Sequence, residues 1–265
     1  AVMGFEYGYS LARPDALVMW EAQFGDFVNG AQTVVDEFIS SAEQKWNQTS
    51  GVTLLLPHGY EGQGPDHSSA RIERFLTLCA DEAMVVAQPS TPASYFHLLR
   101  RHSLGNEHKP LIVFTPKSML KRKEAASQPA DFTSGEFRPV VSDDTVDPAN
   151  VKTVLLVSGR LTWDLVVERK KQSREDVAIL RVEQLYPWPT EQIRAELAKY
   201  PNAKVKWVQD EPFNQGPWPS YHLNVVPFLD REIEPVTRPA SSTTAVGTAK
   251  RHLEEAKVLI GKAFE

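Results

Sequence analysis

The run Leu56-Pro57-His58-Gly59-Tyr60-Glu61-Gly62-Gln63-Gly64-Pro65-Asp66-His67-Ser68-Ser69 gathers two imidazoles, two carboxylates and three glycines. Histidine gains and loses a proton near neutrality, so His58 and His67 are the candidate acid–base groups. Glycines let backbone approach a ligand closely. Several chemistries compete. The order Gly59-x-x-Gly62-x-Gly64 matches neither the dinucleotide fingerprint nor a P-loop. A zinc site needs His58 and His67 to converge, which their spacing across a loop does not impose. Against these stands a plain loop in which Asp66, Ser68 or Ser69 caps the next helix. The residues alone leave the loop and the histidine-bearing active site equally open.

A second segment, Trp20-Glu21-Ala22-Gln23-Phe24-Gly25-Asp26-Phe27, puts two phenylalanines around a glycine. Either both rings pack into the core, or one stacks on a flat heteroaromatic ligand. The basic residues Arg100, Arg101, Lys109, Lys117, Lys121, Arg122 and Lys123 read as a solvated face or as a site for a phosphorylated effector. Arg160, in Ser158-Gly159-Arg160, sits at a strand-to-helix turn whose free N–H groups attract anions. The acidic pair in Gln209-Asp210-Glu211-Pro212 has no evident partner, and Pro212 and Gly216 suggest a rigid turn. His97, His102, His108, His222 and His252 read as surface or core residues, and Cys79 as core filler.

These segments need a scaffold, and the pattern supplies one. Apolar runs at 17–20, 52–56, 84–87 and 111–114 alternate with helical spacing at Val35, Phe38, Ile39, Ala42 and Trp46 and at Ile72, Phe75, Leu76 and Cys79. A further helix opens at Thr91-Pro92. The alternation restarts with strands at 154–157, 177–182 and 205–208. It ends in a helix after Thr248 that carries Leu253, Ala256, Ile260 and Ala263 on one face. Continuous apolar strands between amphipathic helices predict parallel sheets covered on both faces, an α/β fold. Two units follow, 1–117 and 151–265, with 118–150 as a linker.

Composition excludes other classes. One cysteine in 265 residues rules out an internal disulfide framework and favours a reducing compartment. A net charge of −5 gives no overall basic footprint for nucleic acid. No apolar run is long enough for a membrane span, and Ala1-Val2-Met3-Gly4-Phe5-Glu6 carries no secretion signature.

Phe5-Glu6-Tyr7-Gly8-Tyr9-Ser10, the Trp20–Phe27 segment, His58 through Ser69, and Arg181-Val182-Glu183-Gln184-Leu185-Tyr186-Pro187 together resemble the thiamine-dependent component of 2-oxoglutarate dehydrogenase. The likeness is strongest to the actinobacterial multifunctional 2-oxoglutarate decarboxylase type, over its carboxy-terminal portion. The resemblance implies two three-layer α/β units: a transketolase-like pyrimidine-binding domain at 1–117, lacking its N-terminal part, and a transketolase C-terminal-like domain at 151–265. It implies thiamine diphosphate as cofactor, with Mg2+ held by ligands outside this segment and no metal ligand within it. Phe24 would stack on the aminopyrimidine, with Gln23 and Phe27 close by. His67 would be the active-site histidine, with His58 in the same motif. The decarboxylated unit of 2-oxoglutarate would pass to lipoyl groups, to an aldehyde acceptor or to a proton. The family's glutamate that protonates the aminopyrimidine would lie just before Ala1, so the segment alone is expected to be inactive. The implied partners are the rest of its own polypeptide, a second copy in a homodimer, and a lipoyl-bearing acyltransferase domain. The implied setting is the bacterial cytoplasm, without nucleic acid or membrane. Acetyl-CoA activation in such enzymes makes Arg101 and Arg160 candidate effector residues. An alternative role is therefore a regulatory and dimerisation module that binds a CoA ester. A histidine metallohydrolase is the remaining competitor.

Overall fold

The computed structural model describes residues 1–265. The first half runs α1 (Val2–Ala12), β1 (Met19–Glu21), α2 (Gln32–Val34), α3 (Ala42–Trp46), β2 (Thr53–Pro57), α4 (Ile72–Thr77), β3 (Val85–Ala87), α5 (Pro92–Leu104) and β4 (Leu111–Thr115). Next come α6 (Pro129–Thr133), β5 (Val140–Val141), β6 (Thr153–Val157), α7 (Leu161–Lys171), β7 (Val177–Val182) and β8 (Gln184–Tyr186). The chain closes with α8 (Thr190–Leu197), β9 (Lys204–Pro212), α9 (Trp218–Asn224), β10 (Ile233–Arg238) and α10 (Ala249–Phe264). Local chemistry sets several of these ends. Thr91 caps α5 by accepting the Ser94 N–H at 3.1 Å, with Pro92 in the first turn. Thr248 does the same for α10 through the Arg251 N–H.

Two five-stranded sheets result, ordered β1-β2-β4-β3-β8 and β10-β9-β6-β7-β5. Four neighbouring strands in each are parallel, as the apolar runs predict. The fifth strand of each is antiparallel and comes from an unexpected place. β8, from the second half, pairs with β3 of the first sheet. β5 lies within 118–150, the stretch expected as a linker, and pairs with β7 of the second sheet.

The chain passes from one sheet to the other at Glu183, between β7 and β8, and Glu183 is fully buried. Its carboxylate accepts the Ser90 N–H at 3.1 Å together with the hydroxyls of Ser90 and Ser94. One apolar cluster of 38 buried residues accordingly draws on both halves, from Leu54 and Phe75 to Leu180 and Trp207. A second cluster packs α7 and α10 on the far face of the second sheet.

Two helical expectations shift. Residues 32–46 form α2, a wide turn over Val35–Ile39 and then α3, not one continuous helix. Val35, Ile39 and Ala42 are buried, whereas Phe38 and Trp46 are exposed and lie against each other, with ring centroids 5.6 Å apart. In α10 the buried face is Leu259, Ala263 and Phe264, and Leu253 is exposed.

Asp143 ties the 118–150 stretch to the second sheet. Its carboxylate accepts the Ile179 N–H at 2.8 Å and the Thr145 N–H at 3.1 Å, and pairs with Arg169. Burial alone would raise its pKa, but the hydrogen bonds from Thr145 and Ile179 and the Arg169 charge outweigh it and hold the group below its ordinary value. A depressed carboxylate contributes stability that is complete above its unfolded pKa and lost as pH falls through the folded one. Asp143→Asn should therefore flatten the loss of stability below about pH 4. Urea midpoints measured from pH 7 downward check this, and an unchanged acid slope refutes it.

Candidate functional site

Phe24 ends the extended stretch after β1, and a 3-10 segment (Gly25–Ala31) follows. The loop after β2 carries His58 through Ala70. These two loops meet at the carboxyl ends of β1 and β2, where open α/β sheets bind ligands. Contact is closest at Gly25, where a Cβ would stand 2.4 Å from both Ala70 Cβ and the Pro57 carbonyl oxygen. Only glycine allows that approach.

Buried acceptors fix the backbone beyond His67. Asp26 Oδ1 accepts the Ser68 N–H at 3.3 Å and the Ser69 N–H at 3.2 Å. His58 Nδ1 accepts the Ala70 N–H at 3.2 Å. An acceptor Nδ1 must carry a lone pair, so the His58 proton sits on Nε2 and is donated to Glu211 Oε1 at 2.6 Å. His58 and Glu211 are both buried. Gly64, at φ +85°, turns the loop, and its carbonyl accepts the Ser68 hydroxyl at 2.7 Å.

Held in this way, the exposed His67 ring stands edge-on to Phe24, with centroids 4.4 Å apart and planes at 82°. Phe27 packs on both rings, at 5.7 Å from Phe24 and 5.9 Å from His67. The Lys117 ammonium lies over the half-buried Phe24 ring, 3.6 Å from its centroid. A cation attracted to an aromatic face marks that face as suited to positive, flat ligands. Phe24, His58, Glu61, Gln63, His67 and Lys117 line an open cleft of about 190 Å³.

The expected site residues fall into two groups. Phe24, Phe27 and His67 come together, and Gln23 is exposed beside them. His58 lines the same cleft, but both of its ring nitrogens are engaged within the protein. Core packing of both phenylalanines is ruled out, since Phe27 is 48% exposed. The capping role is not taken up by Asp66, Ser68 or Ser69: Arg71 stands at the N-cap of α4 with no side-chain cap, and the Ser69 hydroxyl accepts the Arg71 N–H at 3.0 Å in the turn before it. No three histidine, cysteine or carboxylate side chains gather in a metal-binding cluster. Arg101 and Arg160 do not line the cleft. Arg101 donates to Gln184 Oε1 at 2.9 Å and lies over the Phe137 ring. Arg160 donates to Asp164 at 2.7 Å and to Asp210 at 2.6 Å, so each terminal nitrogen is engaged within the protein. Burial opposes its charge, but the two carboxylates outweigh it and hold the guanidinium ionised.

The segment 209–216 turns where Pro212 and Gly216 suggested, with the Gln215 N–H bound to the Pro212 carbonyl at 2.9 Å and Gly216 at φ +67°, but its first residues are strand. β9 runs through Gln209-Asp210-Glu211 to Pro212, and all three polar residues are buried. The partners missing from the sequence come from far away: Arg160 and Arg238 for Asp210, and His58 for Glu211. His97 and His102 likewise have partners, the carbonyls of Asp131 and Gly51. Asp26 and Lys117 were written in the sequence too, in the Phe24 segment and the basic run, without a signal separating them from their neighbours.

Comparison with known proteins agrees with this geometry. Residues 126–264 match the family described as 2-oxoglutarate dehydrogenase C-terminal. The chain belongs to that family. Residues 1–123 match the transketolase pyrimidine binding domain. All of the chain aligns with the 2-oxoglutarate dehydrogenase E1/E2 component of Corynebacterium glutamicum at 59% identity, covering 22% of that protein. It aligns at 54% with the multifunctional 2-oxoglutarate metabolism enzyme of Mycolicibacterium vanbaalenii, again covering 22%. The 2-oxoglutarate dehydrogenase E1 component of Cupriavidus necator aligns at 53%, with 28% of its length covered. The chain thus spans about a quarter of these relatives. Phe24 and His67 lie in the pyrimidine-binding match, whereas Glu211 and Asp210 lie in the 2-oxoglutarate dehydrogenase C-terminal match. The buried hydrogen bonds beneath the cleft therefore join the two.

Gly25→Ala should lower stability by about 1–3 kcal/mol, the usual cost of overpacking. Adding Ala70→Gly should recover part of that loss. Thermal unfolding of both variants checks the close approach; an unperturbed single variant refutes it.

Proposed function

We propose that this chain forms one wall of a thiamine diphosphate site in an enzyme that decarboxylates 2-oxoglutarate. The succinyl or semialdehyde unit then passes to lipoyl groups, to an aldehyde acceptor or to a proton. The observation that carries this reading is the Phe24–His67 pair: an aromatic face that already attracts a cation, with an imidazole held edge-on beside it. The names of the relatives supply the substrate. The residues fit the cofactor, because the half-exposed face of Phe24 suits stacking by a flat heteroaromatic ring such as the aminopyrimidine. When bound, the cofactor supplies the electron sink for decarboxylation.

The chain's own residues then have distinct tasks. Phe24 would stack on the aminopyrimidine and orient it. His67, exposed to the cleft, binds the substrate's polar end and moves a proton at a ring nitrogen. Phe27 covers the outer side of both rings and limits water there. Asp26 keeps His67 in place through the amides that follow it. In this reading the diphosphate and its Mg2+ are held elsewhere in a longer polypeptide, within a homodimer that a lipoyl-bearing acyltransferase domain visits.

The test uses the full-length polypeptide. His67→Ala should slow 2-oxoglutarate turnover about 10²-fold or more, the range for a proton-transfer group. Phe24→Ala should weaken thiamine diphosphate binding about tenfold, the worth of one aromatic contact. Steady-state kinetics and calorimetric titration measure the two, and normal turnover with normal cofactor affinity would refute the reading.

A further inference from the structure

Three successive amides after His67 are each held by a buried side-chain acceptor. The third holder, His58, does not end the chain of contacts. Its other nitrogen is bound by Glu211, which lies 153 residues further along and reaches the cleft from β9 in the second sheet. Glu211 is itself confined. Gly216, at φ +67°, lies so close that a Cβ there would be 2.8 Å from Glu211 Cβ. The Gly216 N–H is bound in turn by Glu73 of α4 at 2.9 Å.

We propose that Glu211 is a positioning residue for the reaction: through the His58 imidazole it sets the acceptor that anchors the Ala70 N–H, and so it places His67 against Phe24. The inference rests on the reading of the cleft given under Proposed function. Its physical content is tautomeric. A carboxylate accepts only, so it requires the proton on Nε2 and leaves the Nδ1 lone pair for Ala70. Neither nitrogen is then free to act on a substrate, and His58 serves as a rigid spacer between a charge in one sheet and a loop on the other. Protonating Nδ1 would remove the acceptor and release Ala70.

The groups facing His58 are Glu211 and Asp210 from β9, Glu73 from α4, Tyr60 from its own loop and the Phe114 ring from β4. Burial works against charge on His58. The hydrogen bond and charge of Glu211, backed by Glu73 and Asp210, outweigh burial and move its pKa up from the ordinary value. Removing the Glu211 charge must therefore move the release of Ala70 to lower pH.

The experiment follows 2-oxoglutarate turnover by the cofactor-loaded, full-length polypeptide. Glu211→Gln keeps an acceptor for Nε2–H and removes the charge. Its kcat at neutral pH should stay within about threefold of the parent, and the acidic limb of its kcat profile should move to lower pH. Glu211→Leu leaves Nε2–H unpartnered, and kcat should fall about tenfold or more while KM changes less than about threefold. An acidic limb that stays in place in Glu211→Gln, or a Glu211→Leu enzyme with parental kcat, overturns the proposal. Where Glu211→Leu is not recovered folded, His58→Asn decides. Its amide oxygen takes the place of Nδ1 and can still anchor Ala70, so turnover within about tenfold supports the proposal. A loss as large as that of His67→Ala would mean that His58 acts on substrate directly, and overturns it. His67→Ala, run alongside, separates the two failures. Full turnover in that variant sinks the cleft assignment itself; an impaired His67→Ala beside silent Glu211 variants sinks only the role of Glu211.

Discussion

A carboxylate sealed away from water is costly to the fold unless hydrogen bonds or an opposite charge offset its burial. Glu183 is that carboxylate here. It is buried where the chain leaves one sheet for the other, and its acceptors are filled by Ser90 and Ser94 at the start of α5. The N-terminal end of a helix also favours negative charge. These contacts tie the start of α5 to the crossing point, and just beyond it β8 pairs with the open edge of β3. The relative position of the halves is thus fixed by a polar requirement as well as by apolar burial.

The seam between the sheets shows the same physics on a wider scale. Asp210, Arg238, His58 and Glu211 are buried and Arg160 is largely so, and each finds a partner of opposite charge or a fixed hydrogen bond. Such networks add less to stability than hydrocarbon of the same volume would, but they penalise any arrangement that leaves one charge alone. A seam of this kind carries positional information from the second sheet to the floor of the cleft. The upper side of the cleft, with Phe27 and His67 in solvent, stays open to what must enter and leave.

How much of this was legible in the residues depended on distance along the chain. The parallel strands were legible, because runs such as Thr53–Pro57 and Leu111–Thr115 are apolar throughout and need no partner to be read. Phe24 and His67 were legible as odd residues in glycine-bearing loops, and family resemblance gave them their pairing. β8 and β5 were not, since β8 follows β7 after a single residue, β5 sits in a stretch without periodicity, and each pairs with an edge that comes from far along the chain. Glu211 read as part of a turn, because its only reason to be buried is a histidine in the other half of the sequence. Arg160 read as an anion site because its turn is of the right kind. That two nearby carboxylates fill its terminal nitrogens is a tertiary fact.

The exchange of β8 has a consequence for synthesis. The join between the two matched families, near residue 125, is not a boundary between the two sheets. The strand that completes the first sheet is encoded a hundred positions after its neighbour, with Tyr186 opposite Val86. A nascent chain keeps that flank bare until translation has passed residue 186, so the first sheet is completed only after β5, β6 and β7 of the second have been made.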